Sequence, residues 1–292
     1  MNASVPPYAS TPGSDNPGNS PSPFARIYRP DGSTLVWRSD GPASAPAVIL
    51  SNSLATDHLM WEPIMPALSA RHRVLRYDTR GHGASTSVDD RASLEDLSDD
   101  LVAVLDAAGA ARARIVGISL GGMTGMMTAL RHRARVDSLL ACHCRARVDA
   151  AQIAAWKQRV ETASASGIDA LVEPTLERWF AAPVREASAD LMDRVRAMIR
   201  RTSLSGYSAC VSAICGLDLQ GRLPDINLPT AFVAGAQDGA APPAEMRAMA
   251  DAVEGSTLSV LDPCGHLSSL ERPEALLEAI DALERRSGPD RG

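Results

Sequence analysis

Ser119 stands in Gly117-Ile-Ser119-Leu-Gly121-Gly122, between a β-branched run and an apolar helical pattern. A serine hydroxyl is a weak nucleophile at neutral pH, so chemistry here needs an adjacent base that is itself oriented by an acid. The setting is that of a G-x-S-x-G nucleophile elbow, a strand-to-helix turn so sharp that glycine is needed on both sides of the serine. Such a turn predicts Oγ in the open above a sheet, at a helix N-terminus whose dipole favours developing negative charge. A glycine-rich turn around a solvated serine is the competing reading.

For an elbow of this kind the chain order is Ser, then acid, then His. Beyond the helix that ends near His132, only His143 and His266 follow. His266, in Asp262-Pro-Cys-Gly265-His266, comes just after the last predicted strand and is the expected base. His143 follows a strand with no room for an acid before it; it either lines the pocket or is structural. Asp238, in Gly235-Ala-Gln-Asp238-Gly239, is the expected acid because it lies at the carboxyl end of a strand, where such sheets place their sites. Asp-Gly is also an ordinary turn dipeptide, and Asp218 and Asp225 are weaker rivals. Two oxyanion donors are expected, each worth about 3–4 kcal/mol. They are the backbone N–H of Leu120 and that of Leu54 in Asn52-Ser53-Leu54-Ala55-Thr56, with Ser53 as the alternative to Leu54.

Other constellations are weaker. Cys142-His143-Cys144 has ligand-type residues, but neighbours on a strand point to opposite faces and no second cluster exists, so no metal is expected. Arg80-Gly-His82-Gly83 is a glycine-rich turn without a phosphate loop or dinucleotide fingerprint, so no cofactor is expected and His82 reads as structural. Cys264 lies two residues from His266, yet the elbow position is taken by serine.

These residues need strands and helices to hold them. Arg26–Arg29 and Thr34–Trp37, joined across Pro30-Asp-Gly32, read as a hairpin. Ala47–Ser51, Val74–Tyr77, Ile115–Ile118, Leu139–Cys142, Thr230–Ala234 and Thr257–Leu261 read as further strands. Helical windows fall at about 93–109, 121–133, 243–253 and 273–285, with start signals at Ser93-x-x-Asp96 and Arg272-Pro273-Glu274. A hairpin followed by β–α alternation predicts an α/β fold with a mostly parallel sheet. From about 148 to 222 only helical periodicity is visible, which predicts a helical cap inserted on the sheet; Trp156 and Trp179 lie in it.

The chain has 292 residues, 45% apolar and 22% charged, with net charge -6. A nucleic-acid partner is not expected, since phosphate binding needs clustered basic residues. No run approaches the roughly 18 apolar residues of a membrane span, and no basic-then-apolar leader is present. Five cysteines without a dense framework predict reduced thiols and a cytoplasmic setting. Residues 1–23 carry six Pro and five Ser and read as a disordered tail. The globular domain is expected over 24–286, with 287–292 as a flexible end.

The chain resembles the α/β-hydrolases, and within them the 3-oxoadipate enol-lactonases. The resemblance rests on Leu50-Ser-Asn-Ser-Leu-Ala-Thr-Asp57 with Met60-Trp61, on Arg73-Val-Leu-Arg-Tyr-Asp-Thr-Arg-Gly-His-Gly-Ala-Ser85, and on Gly117-Ile-Ser-Leu-Gly-Gly-Met-Thr-Gly125. Arg178-Trp-Phe180, Gly206-Tyr207, Gly265-His-Leu-Ser268 and Glu271-Arg-Pro273 extend it over nearly all of Phe24 to Leu283. It implies an α/β-hydrolase fold, with eight strands, helices on both faces and a helical cap. It also implies hydrolysis of a small anionic enol-lactone in aromatic catabolism through Ser119, His266 and Asp238. The chain departs from the family at Ala55, where glycine is usual. It departs again at His143-Cys144-Arg145, where Asn-Thr-Ala is usual, and at Gly239-Ala-Ala-Pro242. A carboxylate-bearing substrate wants cationic neighbours, for which Arg145 and Arg178 are candidates if they are not simply surface residues. Ser53, Trp156, Trp179 and His143 complete the expected pocket. A broad carboxylesterase or a carbon–carbon bond hydrolase of ring-fission products are the alternatives, and a non-catalytic binding protein on the same scaffold is a third. Scarce aromatics, eleven in all, favour a small polar substrate.

Overall fold

The eight predicted strands all form. In the computed structural model, which describes residues 24–288, they are β1 (Ala25–Tyr28), β2 (Thr34–Asp40), β3 (Ala47–Ser51), β4 (Arg73–Tyr77), β5 (Ala113–Ile118), β6 (Val136–Cys142), β7 (Thr230–Gly235) and β8 (Thr257–Leu261). They make one sheet in the order β1-β2-β4-β3-β5-β6-β7-β8. The β1–β2 hairpin is antiparallel and β2 joins β4 antiparallel; β3 to β8 run parallel. Parallel strands need crossover segments and are covered on both faces. Consistently, every residue of β5 and of β7 is buried.

The crossovers are α1 (Met65–Ser69), α2 (Leu94–Ala107) and α3 (Leu120–Arg131), and after the cap α9 (Pro243–Ala252); α10 (Ser268–Glu271) and α11 (Pro273–Ser287) follow the last strand. Ser93 caps α2 in a reciprocal box with Asp96, as its spacing predicts. Pro273 occupies the first position of α11, where its missing N–H costs nothing. That helix runs two residues past its expected end, through Ser287. The pattern reading left Met60-Trp61 unassigned; they lie on a 3-10 segment, His58–Ile64, with a proline inside that breaks any helical period. Between β6 and β7 come five helices: α4 (Ala150–Ser166), α5 (Val172–Trp179), α6 (Ala182–Ala187), α7 (Ala189–Arg200) and α8 (Leu204–Cys215). Asp149 and Gln152 form a second capping box at the start of α4. The expected tail at 1–23 and the last four residues of the expected flexible end lie outside the described residues. No helix among the described residues is long and apolar enough to cross a membrane.

Buried ion pairs fix the loops that carry the site. Arg80 donates to both carboxylate oxygens of Asp100 on α2, at 2.7 and 2.9 Å, and reaches Asp31 of the hairpin turn at 3.1 Å. Asp78 accepts from the backbone of His58 and Ala84 and from His58 Nδ1, each at 2.8–2.9 Å, and so folds the Arg80–Ser85 turn against the 3-10 segment. The side chains of Arg80 and Asp100 are 5% and 2% exposed, so removing one partner strands a charge. We expect Asp100→Ala to lower the unfolding free energy by about 3–5 kcal/mol, whereas Ser93→Ala, which removes only a helix cap, costs about 1 kcal/mol. Urea unfolding of both variants checks the ordering, and equal losses would remove the special role given to the buried pair.

Candidate active site

The backbone of Ser119 has φ 56° and ψ −117°, a conformation that L residues seldom adopt. It is held there from both sides. The Ser119 N–H donates to Cys142 O at 2.8 Å, and its carbonyl accepts from Met123 N at 3.0 Å as α3 begins. A Cβ at position 121 would lie 1.9 Å from Ser51 O, and one at position 117 would lie 2.2 Å from Gly121 O. Only glycine fits either place, so β5 and α3 can approach each other and β3 closely enough to push Ser119 outward. This is the elbow that the spacing predicts.

Ser119 lines a cavity of about 200 Å³ between the sheet and the cap. His266 lines it too, and Asp238 sits directly behind: its Oδ2 accepts from His266 Nδ1 at 2.8 Å. The other carboxylate oxygen accepts from Ala240 N at 2.8 Å and Ala241 N at 3.0 Å, which locks the turn after β7. Burial pushes the Asp238 carboxyl upward, but the neighbouring His266 and the hydrogen bonds from both histidines outweigh it and hold it far below the usual carboxylate range. It therefore stays ionised, and each bonded Nδ1 must carry a proton. With Nδ1 so occupied, Nε2 is the ring atom of His266 left to accept a proton, as a general base requires.

The loop bearing His266 is clamped along its length. Its own N–H donates to Trp179 O at 2.9 Å, and the indole of Trp179 stacks on the imidazole at 5.9 Å between centroids. The Glu271 carboxylate accepts from Gly265 N and Leu267 N at 3.0 and 3.1 Å. Gln237 exchanges bonds with Cys264, accepting at 2.6 Å and donating from its backbone at 2.9 Å. His266 is thus placed by the cap, by α10 and by the Asp238 turn together.

On the opposite wall are Ser53, Leu54 and Ala55. Asn52 pins this loop, donating to Tyr77 O and accepting from Trp61 Nε1, both at 2.7 Å. Ala55 has φ 59°, which accounts for the glycine usual there. Leu54 lines the cavity; Leu120 does not, but as the first residue of α3 its N–H has no carbonyl partner within the helix.

Trp156, Trp179, His143, Arg145 and Arg178 all line the cavity. The two expected arginines differ. Arg145 donates to Ala240 O at 2.7 Å and pairs with Glu245, so its charge is already met. Arg178 has no acidic partner among the described residues, and burial together with nearby Arg159 lowers its guanidinium to about 10. Arg159, which sequence reasoning missed, also lines the cavity, without an acidic partner among the described residues, its guanidinium 4.3 Å from the centre of the Trp156 ring. The available signal was its spacing: three residues after Trp156, it shares that residue's face of α4.

His143 resolves its two readings in both directions. It lines the cavity, and its Nδ1 donates to the same Asp238 Oδ2 at 3.1 Å. No spacing rule predicts this contact, because it depends on β6 and β7 being neighbours, with Cys142 paired to Val233. His143, Asp238 and His266 also present ligand-type atoms within 4.8 Å of one another, as do Asp57, His58 and Asp78. In both groups the carboxylate is already engaged by N–H donors.

Comparison with known proteins places this geometry. The α/β-hydrolase fold family matches residues 46–273. The 3-oxoadipate enol-lactonase 1 of Acinetobacter baylyi is 32% identical over 257 residues, 88% of this chain and 95% of the relative. The enol-lactonase of Burkholderia xenovorans LB400 superposes with TM-score 0.85 at 35% identity, covering 90% of this chain and all of that one. A thermophilic esterase of Thermogutta terrifontis, solved with malate bound, gives TM-score 0.85 at 26% identity, covering 92% of this chain and all of that one. The chain therefore belongs to the α/β-hydrolase fold family, as a carboxylic ester hydrolase similar to the 3-oxoadipate enol-lactonases.

Proposed function

We propose that the protein hydrolyses a small carboxylate-bearing ester or lactone, most plausibly an enol-lactone of the 3-oxoadipate type, through an acyl-enzyme on Ser119. The observation that carries this reading is one cavity shared by a strained serine, an Asp238-oriented histidine and two arginines without acidic partners among the described residues. The enol-lactonase relatives support the substrate class, and malate in the esterase relative is a small anion of related kind.

In this reading His266 Nε2 removes the Ser119 proton as Oγ attacks the lactone carbonyl. The Leu54 and Leu120 N–H groups receive the developing oxyanion, and the start of α3 adds its positive dipole end. Collapse of the tetrahedral intermediate breaks the ring C–O bond and frees an enolate, which takes the proton held on His266 Nε2 to become the ketone and leaves the imidazole neutral. His266 then deprotonates a water that hydrolyses the acyl-enzyme, while ionised Asp238 stabilises the imidazolium in both halves. Arg159 and Arg178 hold the substrate carboxylate against the cap wall. A cytoplasmic role in aromatic-compound catabolism follows from the same reading.

Turnover of the enol-lactone, of nitrophenyl esters and of ring-fission dienones by the wild type and Ser119→Ala tests it. The enol-lactone is expected to be the best substrate, and Ser119→Ala to lose at least about 10⁴-fold in kcat with unchanged melting. Rapid ester turnover with no enol-lactone turnover would replace the lactonase with a broad esterase, and dienone cleavage alone would favour the carbon–carbon hydrolase. For the cap arginines, Arg178→Gln and Arg159→Gln are each expected to raise KM for carboxylate-bearing substrates about tenfold. Neutral nitrophenyl acetate should respond by less than about twofold. Equal effects on both substrates would take the anion subsite away from these residues.

A further inference from the structure

Among the described residues, the non-glycine positions with positive φ are Ala55 (59°), Ser119 (56°) and His143 (51°). All three line the same cavity. Strain of this kind persists only where surroundings enforce it, and it gathers at functional sites. Ser119 and Ala55 are accounted for by the elbow and the oxyanion loop. His143 is not needed for either.

Its side chain is fully buried. Nδ1 donates to ionised Asp238, and burial together with His266 lowers the imidazole's affinity for a second proton. The ring is therefore neutral, and its Nε2 is a lone-pair acceptor. That atom has no hydrogen-bond partner among the described residues, whereas buried polar atoms are nearly always paired. The same is true of Ser53 Oγ on the opposite wall of the cavity. The His143 and His266 rings lie edge to face with centroids 5.9 Å apart, both hung from one carboxylate oxygen. Because His143 shares both this carboxylate and the cavity with His266 and Ser119, the substrate groups nearest to its acceptor are those a few bonds from a carbonyl attacked by Ser119. Arg145, the nearest basic residue in sequence, is turned away to Glu245 and leaves that acceptor unopposed.

We propose that His143 Nε2 is a specificity-determining acceptor that selects esters or lactones carrying a hydroxyl group within two or three bonds of the scissile carbonyl. This rests on the serine-hydrolase reading and deepens it. The chemical logic is asymmetric: a site built around an unpaired buried acceptor penalises ligands that leave it unpaired more than it rewards apolar fit. Nothing in the Ser119–His266–Asp238 mechanism requires this atom, so it can set preference without setting reaction type.

The test measures kcat/KM for methyl 2-hydroxybutanoate and methyl 3-hydroxybutanoate, each against its O-methyl ether and against methyl butanoate. Wild type is expected to prefer one hydroxy ester over its ether by about tenfold or more. His143→Asn keeps a side chain that tolerates positive φ and can still donate to Asp238, but it cannot extend an acceptor as far. It is expected to bring that ratio within about twofold while still hydrolysing methyl butanoate. A parallel loss on all esters with the ratio unchanged would make His143 a structural support of Asp238 and overturn the proposal. Wild type lacking any hydroxy preference would overturn it without recourse to the variant. Wild type and Ser119→Ala equally inert on every ester would instead bring down the hydrolase reading itself. In that case, tighter binding of 2- or 3-hydroxybutanoate than of butanoate to the wild type, lost in His143→Asn, would keep the acceptor site, and equal binding would remove it.

Discussion

The site depends on three backbones sharing a space that has no room for a Cβ. Where β5 turns into α3, the chain passes within contact distance of the end of β3, and a methyl group at 117 or 121 would overlap backbone carbonyl oxygens. That closeness puts the Ser119 hydroxyl over the carboxyl edge of the sheet rather than beside it. It also sets the distance between the elbow and the loop after β3, so the Leu54 and Leu120 amides come from two elements that cannot drift apart independently. The cost is a serine in an unfavourable backbone state, of order 1–3 kcal/mol. It is offset by the hydrogen bond to Cys142 O, by the entirely buried strand before it and by the helix after it, which is buried from Leu120 to Ala129.

A second constraint hangs from the first. Asp238 is held by four donors, two backbone amides on one oxygen and two imidazoles on the other. A carboxylate so well satisfied keeps its charge in a buried place, and its charge in turn fixes the tautomer of both rings. The His266 loop has to meet this carboxylate after an excursion through α9 and β8. Clamps to Glu271, Gln237 and the Trp179 carbonyl bring it there. Because Trp179 belongs to α5, the cap is part of what positions His266, not a cover laid over a finished site.

Much of this was legible in the residues themselves, for identifiable reasons. The eight strands could be read because β-branched runs bounded by turn residues are local signals, and Ser93-x-x-Asp96 states its helix start within four residues. The elbow was legible because glycine at 117 and 121 is demanded by local sterics. His266 and Asp238 followed from chain order once the elbow was assumed. The His143–Asp238 contact was not legible, since it joins residues 95 apart that meet only through the pairing of β6 and β7. Arg145 and Arg178 looked equivalent as sequence. What separates them is Glu245, placed by α9 beside one and not the other. Arg159 was hidden by the weak amphipathic pattern of α4, a helix with Ala163 as its one buried residue.

In the proposed function, reaction type and preference are carried by different parts of the molecule, and the physical reason lies in what each can tolerate. Ser119, Asp238 and His266 are tied to backbone with little freedom: glycines without clearance, a four-donor carboxylate, a loop clamped at both flanks. The departures from the enol-lactonase pattern leave Ser119, Asp238 and His266 themselves in place and fall on residues around them, among which His143, Ala240 and Ala241 donate to Asp238. Ala55 keeps the left-handed turn despite its methyl group, and His143 keeps the positive φ of its position while exchanging a short amide for a ring. Such positions can change chemistry without moving the elbow. A chain that retains the machinery and alters three stretches of the wall is therefore a hydrolase whose substrate, more than its mechanism, has been free to diverge.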